Sequence, residues 1–502
     1  DLLDHLGGII LSNKNIQFGF ENKHEEHLTF CNTSVSESNV IEDDDFIAKF
    51  MDNKWVVSWK WSSEERPVSN KAIGEYEVAK ELREKYVCEI EEWFKNDWLY
   101  TFNSKCLQSL SLMAISQPVE DKVRSVLDYR RLNTFVSTHT AESLVCGDTL
   151  RRWRQMGVNS KPVDLRKAYL QIHIDPNLWP YQTVRYKYKT YCLTRLGFGL
   201  NAAPKIMCSI VSFVLNQKPN WTHGVNFYID NIFVDEDVVK VEEVVEHLNR
   251  WGLVCKTPEN LNGGRVLGLC IFKNKKTLFW KRDGNLPELV NNPTRRQIFS
   301  WCGKIIGHFP VGGWSRVVLS WIKRQISDLD WEEKVNSDIE NICKDVCNRL
   351  LLKDPVSGIW KVGKIDDVVL YCDASSMALG VVLQINGVTV ENGSWLRNKD
   401  IQYHIYNAKL YAVYISLSVV TKRNANKRRI KVDSAAVFNW VKTLITKEKK
   451  VKVSGPSESF LRRRTILIKD IIKVCGLNLF IELIPSEVNL ADALTRVPSK
   501  FT

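Results

Sequence analysis

Val163-Asp164-Leu165-Arg166-Lys167-Ala168-Tyr169-Leu170-Gln171-Ile172-His173-Ile174 and Val225-Asn226-Phe227-Tyr228-Ile229-Asp230-Asn231-Ile232-Phe233-Val234 are the two pieces of sequence that decide the fold. Both lie in the stretch from Lys161 to Asp237. In the first, an aspartate closes a short apolar run, and after a turn the chain alternates apolar and polar residues as a strand does. In the second, two β-rich arms flank the polar pair Asp230-Asn231, which suits a tight hairpin turn. A carboxylate at a strand end and another at a hairpin tip meet if the strands are neighbours. Such a pair offers oxygen ligands to Mg2+ and leaves most positions open for substrate phosphates. Either aspartate taken alone reads equally as a strand-end residue or a turn former.

The composition bounds what these pieces can belong to. At 502 residues the chain is too long for a single core, and three or more domains are expected. Its 44% apolar and 25% charged residues describe an ordinary globular protein, with no apolar run approaching the ~20 residues of a membrane span. A net charge of +12 favours a polyanionic partner, nucleic acid or acidic membrane alike. The thirteen cysteines are scattered singly, among them Cys192, Cys208, Cys270 and Cys372. That odd number in apolar contexts reads as free thiols in a reducing compartment. Cys343 and Cys347 are one helical turn apart, but no second pair completes a zinc site. With no signal-peptide pattern, an intracellular location is expected, and Asp1 in place of Met reads as a fragment or as a product cut from a longer precursor.

Asp164 in its VDLRKAYLQI context, Arg195-Leu196-Gly197-Phe198-Gly199-Leu200-Asn201-Ala202-Ala203-Pro204, and Tyr228-Ile229-Asp230-Asn231 follow one another in a set order. Together they resemble the palm motifs of reverse transcriptases from the Pol proteins of LTR retrotransposons and retroviruses. The resemblance runs over roughly residues 50 to 498. It implies an α/β architecture: a right-hand polymerase of fingers, α+β palm and thumb, followed by an RNase H-like domain with a mixed sheet. Residues 51–284 would be fingers and palm, 285–360 thumb and connection, and 361–500 the RNase H-like part. Residues 1–20 faintly resemble the C-terminal end of a retropepsin, without its catalytic triplet, and the polar residues 21–50 read as a linker that includes Glu42-Asp43-Asp44-Asp45.

The resemblance also implies residue roles. Asp164 and Asp230 would hold two Mg2+ (or Mn2+) ions, with the Leu165 carbonyl as a further ligand. Those ions would activate a primer 3′-oxygen and steady the leaving pyrophosphate. Lys122 and Arg124 open an alternating strand that, in the family, grips the dNTP triphosphate; bidentate geometry explains the arginine. Tyr169 stands where the family excludes a ribose 2′-hydroxyl. Phe198 and Gly199 stand where backbone approaches the base pair or template closely. One departure is plain: the family's last palm motif ends in two aspartates, and here Asn231 follows Asp230.

Other elements are legible from periodicity. Trp55–Trp61 is β-like, and residues 75–96 carry a helical stripe of Val78, Leu82, Val87, Ile90 and Trp93. A hairpin is expected over 183–194, then a helix capped by Asn201, a helix near 238–251, and a short hairpin at Val266-Leu267-Gly268-Leu269. Helices over 294–307 and 314–327 follow. Beyond Pro355, a buried-type strand ends at Asp373, a helix starts near His404, and a strand ends at Asp433 before another helix. With Asp492 in Ala491-Asp492-Ala493-Leu494, these match an RNase H domain at three of its four acids, which would also bind Mg2+. The fourth is a glutamate in the family, and Lys409 stands there. Basic clusters at Lys447–Lys452 and Arg462–Arg464 would track an RNA–DNA hybrid's phosphates, or simply be solvated. Two functions remain open: an RNA-directed DNA polymerase with RNase H, or a decayed or co-opted Pol fragment that grips nucleic acid without turnover.

Overall fold

The computed structural model describes residues 39–68, 75–117, 122–137, 145–274, 277–361, 367–398, 404–420, 428–446 and 458–497, and the backbone of 9–12 and 15–18. The chain is a mixed α/β protein in two compact units: residues 8–145 with 156–261, and residues 146–155 with the chain from 262 onward. The two short strands Ile9–Ser12 and Asn15–Phe18 pair as a hairpin. The rest of residues 1–20, most of the expected linker and the Lys447–Lys452 cluster lie outside the described residues.

In the first unit the strand Ser160–Asp164 runs antiparallel to Asn231–Asp235, which pairs in turn with Val225–Tyr228. Asn231–Asp235 is therefore the central strand, and its Ile232, Phe233 and Val234 are essentially buried. A central strand covered on both faces has no solvent side, which explains a continuous apolar run. The helix Ala203–Asn216 lies against this sheet and buries Ile206, Met207, Ile210, Val211 and Val214. Asn201 is not its cap. The Asn201 N–H is bonded to Asn133 Oδ1 at 2.9 Å, and the helix starts after Ala202 with Pro204 in its first turn. A proline there forfeits no intrahelical bond.

Three further expectations are corrected. The 75–96 helix begins late, as a 3-10 turn at Lys80–Leu82 followed by Arg83–Lys95. Residues ahead of it are held extended, because the Tyr76 N–H donates to the Leu112 carbonyl at 3.2 Å and its hydroxyl to Asp128 at 2.9 Å. After Asp164 the alternating segment is mostly a turn. Lys167 takes a left-handed φ of 50°, Ala168–Gln171 is 3-10, and only His173–Ile174 is strand. The Gln171 amide fixes that turn by donating to the carbonyls of Arg166 and Val254. Finally, the acidic run belongs to folded structure, joining the strands Val40–Glu42 and Phe46–Met51. Lys205 holds it in place, 2.6 Å from Asp43 and 2.7 Å from Asp45.

The Phe198 segment is braced from behind. A Cβ at Gly197 would overlap the hydroxyl of Tyr129. Tyr129 is 2% exposed and donates to Gln182 Oε1 at 2.5 Å, so it cannot step aside. Gly197→Ala is expected to destabilise the first unit by about 1–3 kcal/mol, as overpacking does. Urea unfolding would check it, and an unchanged midpoint would show that Tyr129 yields.

In the second unit the helices Arg295–Ile306, Ser315–Gln325 and Ser337–Leu352 share one core around Ile298, Val318, Ile322, Cys343 and Val346. Thr294 and Gln297 form a capping box on the first, and Asn336 caps the third. A five-stranded sheet follows in the order Val388–Leu396, Ala378–Ile385, Val368–Ala374, Arg428–Val432, Leu479–Leu483. Its first three strands are antiparallel and its last two join in parallel, so the sheet is mixed as expected. Buried Arg154 donates to the carbonyls of Ile359, Trp360 and Val390, tying the 146–155 segment to this unit. The short hairpin at 265–274 turns through Leu267 and Gly268, both at positive φ. Among the described residues no helix is long and apolar enough to cross a membrane.

Candidate active site

Register puts the first site together. Asp164, last in its strand, is the Cα partner of Asn231. The hairpin tip is one residue earlier than expected: Tyr228 pairs with Asn231, and Ile229-Asp230 form the two-residue loop. Ile229 takes a φ of 58°, an uncommon conformation for a β-branched residue, and it leaves Asp230 at the apex. The Leu165 N–H donates to the Asp230 carbonyl at 3.2 Å, so the two acids are anchored to one another through backbone. Burial, together with the charge of Asp164, raises the Asp230 pKa above the usual carboxylate value. Asn231 Nδ2 donates to Asp230 Oδ1 at 3.2 Å.

A third charged group completes the site, and the sequence offered no sign of it. Lys256 Nζ lies 2.9 Å from Asp164 Oδ2. Its backbone N–H donates to the Asp164 carbonyl at 2.7 Å, so the segment after Trp251 runs alongside the acid. Lys256 is 92 positions from Asp164, just after the apolar Leu253-Val254-Cys255, and only the fold reveals the pairing.

Of the expected substrate residues, Tyr169 feels the charge of Asp230, and Phe198 and Arg124 follow from it. Tyr169 and Phe198 meet edge to face with centroids 4.9 Å apart. The Arg124 guanidinium lies over the Phe198 ring at 4.9 Å. Burial and the Asp230 charge raise the Tyr169 pKa, so its hydroxyl stays protonated. Gly199 has a φ of 101°, and its carbonyl accepts from Asn133 Nδ2 at 2.9 Å. Lys122 is exposed at the start of the same strand as Arg124.

The implied metals can be tested against these side chains. Asp164 and Asp230 are near enough for the charge of one to raise the pKa of the other, a donor set of the kind a divalent cation takes, and the Lys256 head paired with Asp164 is 53% exposed. The second set does not fit. Lys409, on the helix Ile405–Val420, places Nζ 2.9 Å from Asp373 Oδ1 and 2.6 Å from Asp433 Oδ1. The outer oxygens are also engaged, Asp373 Oδ2 by Thr495 and Asp433 Oδ2 by Ser486, each at 3.1 Å. Asp492 opens the neighbouring 3-10 turn and pairs with Arg496 at 2.9 Å. Among the described residues no group of three or more His, Cys, Asp or Glu side chains is placed to hold a metal ion, in either set. Arg462 pairs with Glu458, and Arg464 donates to the Asn407 carbonyl, so these two arginines are partly structural.

Comparison with known proteins adds the fold. A foamy viral protease-reverse transcriptase in complex with double-stranded DNA superposes with a TM-score of 0.59 at 14% identity, over 84% of this chain and 86% of that one. A dRH form with double-stranded DNA gives 0.58 at 14%, over 85% and 75%. A third, in complex with an RNA/DNA hybrid, gives 0.54 at 14%, over 88% and 58%. The chain shares its fold with them. One family also matches, a domain of unknown function (DUF7047), over the three-helix segment 294–351. No curated protein matches the sequence.

Proposed function

We propose that the chain is a nucleic-acid-binding protein of reverse transcriptase type from a retroelement Pol polyprotein. In this reading residues 51–284 are fingers and palm, 285–360 thumb and connection, and 361–500 an RNase H-like domain. The observation that carries it is the meeting of Asp164 and Asp230 beside Tyr169, Phe198 and Arg124, groups drawn from separate segments of the chain. The resemblance of the fold to proteins described in complex with duplexes supports the same reading. Asp164 and Asp230 would hold Mg2+ or Mn2+, which supplies charge stabilisation at the reacting phosphate. Arg124 and Lys122 would bind the triphosphate of a dNTP, and Tyr169 and Phe198 would flank its sugar and base. The expected partners are an RNA template and a DNA primer.

A second reading, a fragment that grips nucleic acid without turnover, is favoured by Asn231 in the first site and Lys409 in the second. Both readings require duplex binding dominated by phosphate contacts. Affinity for an RNA–DNA primer–template is expected to fall by about 10³ or more between 50 and 200 mM salt, the loss for roughly six to ten neutralised phosphates. A fluorescence anisotropy titration measures this. A flat salt dependence would refute both readings. Primer extension on an RNA template then separates them.

A further inference from the structure

Asp373 lies in the middle of the mixed sheet with its side chain 2% exposed, and Asp433, at the end of the neighbouring strand, is 6% exposed. Burying two carboxylates side by side is unfavourable unless a cation stands between them. Here the cation is part of the chain. Lys409 reaches from the helix packed on the sheet, and its ammonium touches one oxygen of each acid. Its side chain is itself only 19% exposed.

We propose that the Lys409 ammonium is a resident counter-ion that occupies the place of a divalent cation between Asp373 and Asp433, so that this unit is built and kept folded without metal. The inference rests on these three side chains and on the RNase H-like reading of residues 361–500, and not on the polymerase site. An ion such as Mg2+ would need the same oxygens at ~2.1 Å, inside the space the ammonium takes at 2.6 and 2.9 Å. Thr495 and Ser486 hold the outer oxygens and fix both carboxylates toward the ammonium. A lysine left where a metal ligand was lost would be expected to point to water. This one donates to Asp433 and is ion-paired with Asp373.

The experiment uses the full chain carrying Asp164→Asn and Asp230→Asn, which removes the other acid pair from the reading. In this background thermal unfolding should be the same in EDTA and in 1 mM MnCl2, and Mn2+ should leave its free electron paramagnetic resonance signal undiminished by this pair. Adding Lys409→Ala should lower Tm in EDTA on the order of 5–10 °C, as breaking a buried pair does. Mn2+ should then restore part of that loss, and Asp373→Asn on top should abolish the restoration. Lys409→Arg keeps the charge and should remain metal-blind. If Lys409→Ala fails to fold, Lys409→Ala with Asp373→Asn and Asp433→Asn removes both uncompensated charges and should fold again. Mn2+ bound in the Lys409 background, and lost with Asp373→Asn, would overturn the proposal. So would a Lys409→Ala chain with unchanged Tm in EDTA.

Discussion

An RNA strand annealed to DNA is expected to come through incubation with the unmodified chain and Mg2+ uncut. Hydrolysis of the RNA-strand phosphate in an RNase H-like domain depends on acids that are open to metal, and here Lys409 engages two of them. An ammonium about 4 Å from a dication costs roughly 8 kcal/mol at an effective dielectric near 20. A solvated lysine would swing away and shed most of this. Lys409 is held by both carboxylates, so most of the penalty stands. Even half of it is about three powers of ten in rate. Lys409→Glu exchanges the cation for the missing acid and is expected to yield measurable cleavage, whereas Lys409→Ala is not. Gel analysis of a labelled hybrid distinguishes these outcomes. Cleavage by the unmodified chain that disappears with Asp433→Asn would show that the lysine gives way to metal.

Asn231→Asp is expected to raise primer extension at least tenfold, and Asp164→Asn to abolish whatever synthesis the unmodified chain performs. Asn231 is the cross-strand partner of Asp164, so an aspartate there stands about 4.5–5.5 Å away on the same face of the sheet. The amide now spends a donor on Asp230 Oδ1, which a carboxylate cannot do. The substitution frees that oxygen and adds a charge to a pair that already suits a dication. A tenfold gain needs only about 1.4 kcal/mol of extra transition-state stabilisation, a small part of what one more carboxylate contributes near a metal. Single-turnover extension on an RNA template in Mg2+ is the measurement. Equal rates for the two chains would mean that the asparagine is harmless.

Periodicity alone located most of the elements that carry the sites. The buried arms around Ile229-Asp230, the stripe of the helix Ala203–Asn216 and the strand ending beside Asp433 are written as runs of apolar residues. Where local polar bonds compete with a pattern, the reading failed. Gln171 turned an alternating segment into a 3-10 turn, and the helix started one residue later than Asn201 allows, at Ala203 with Pro204 in its first turn. The acidic run at 42–45 looked solvated because its counter-ion, Lys205, is some 160 positions away.

By itself, then, the sequence determined the mixed α/β class, the order of the elements and the aspartates worth watching. Those follow from side-chain periodicity and short motifs, which are local. Only the tertiary structure decided what the charges do. Lys256 pairs with Asp164 across 92 positions, while Lys409 meets Asp433 across 24 and Asp373 from a different strand. The first ammonium is 53% exposed; the second is sheltered and ion-paired with two acids. That difference comes from burial and from which groups the fold brings within 3 Å, and neither is written in the neighbourhood of a lysine along the chain.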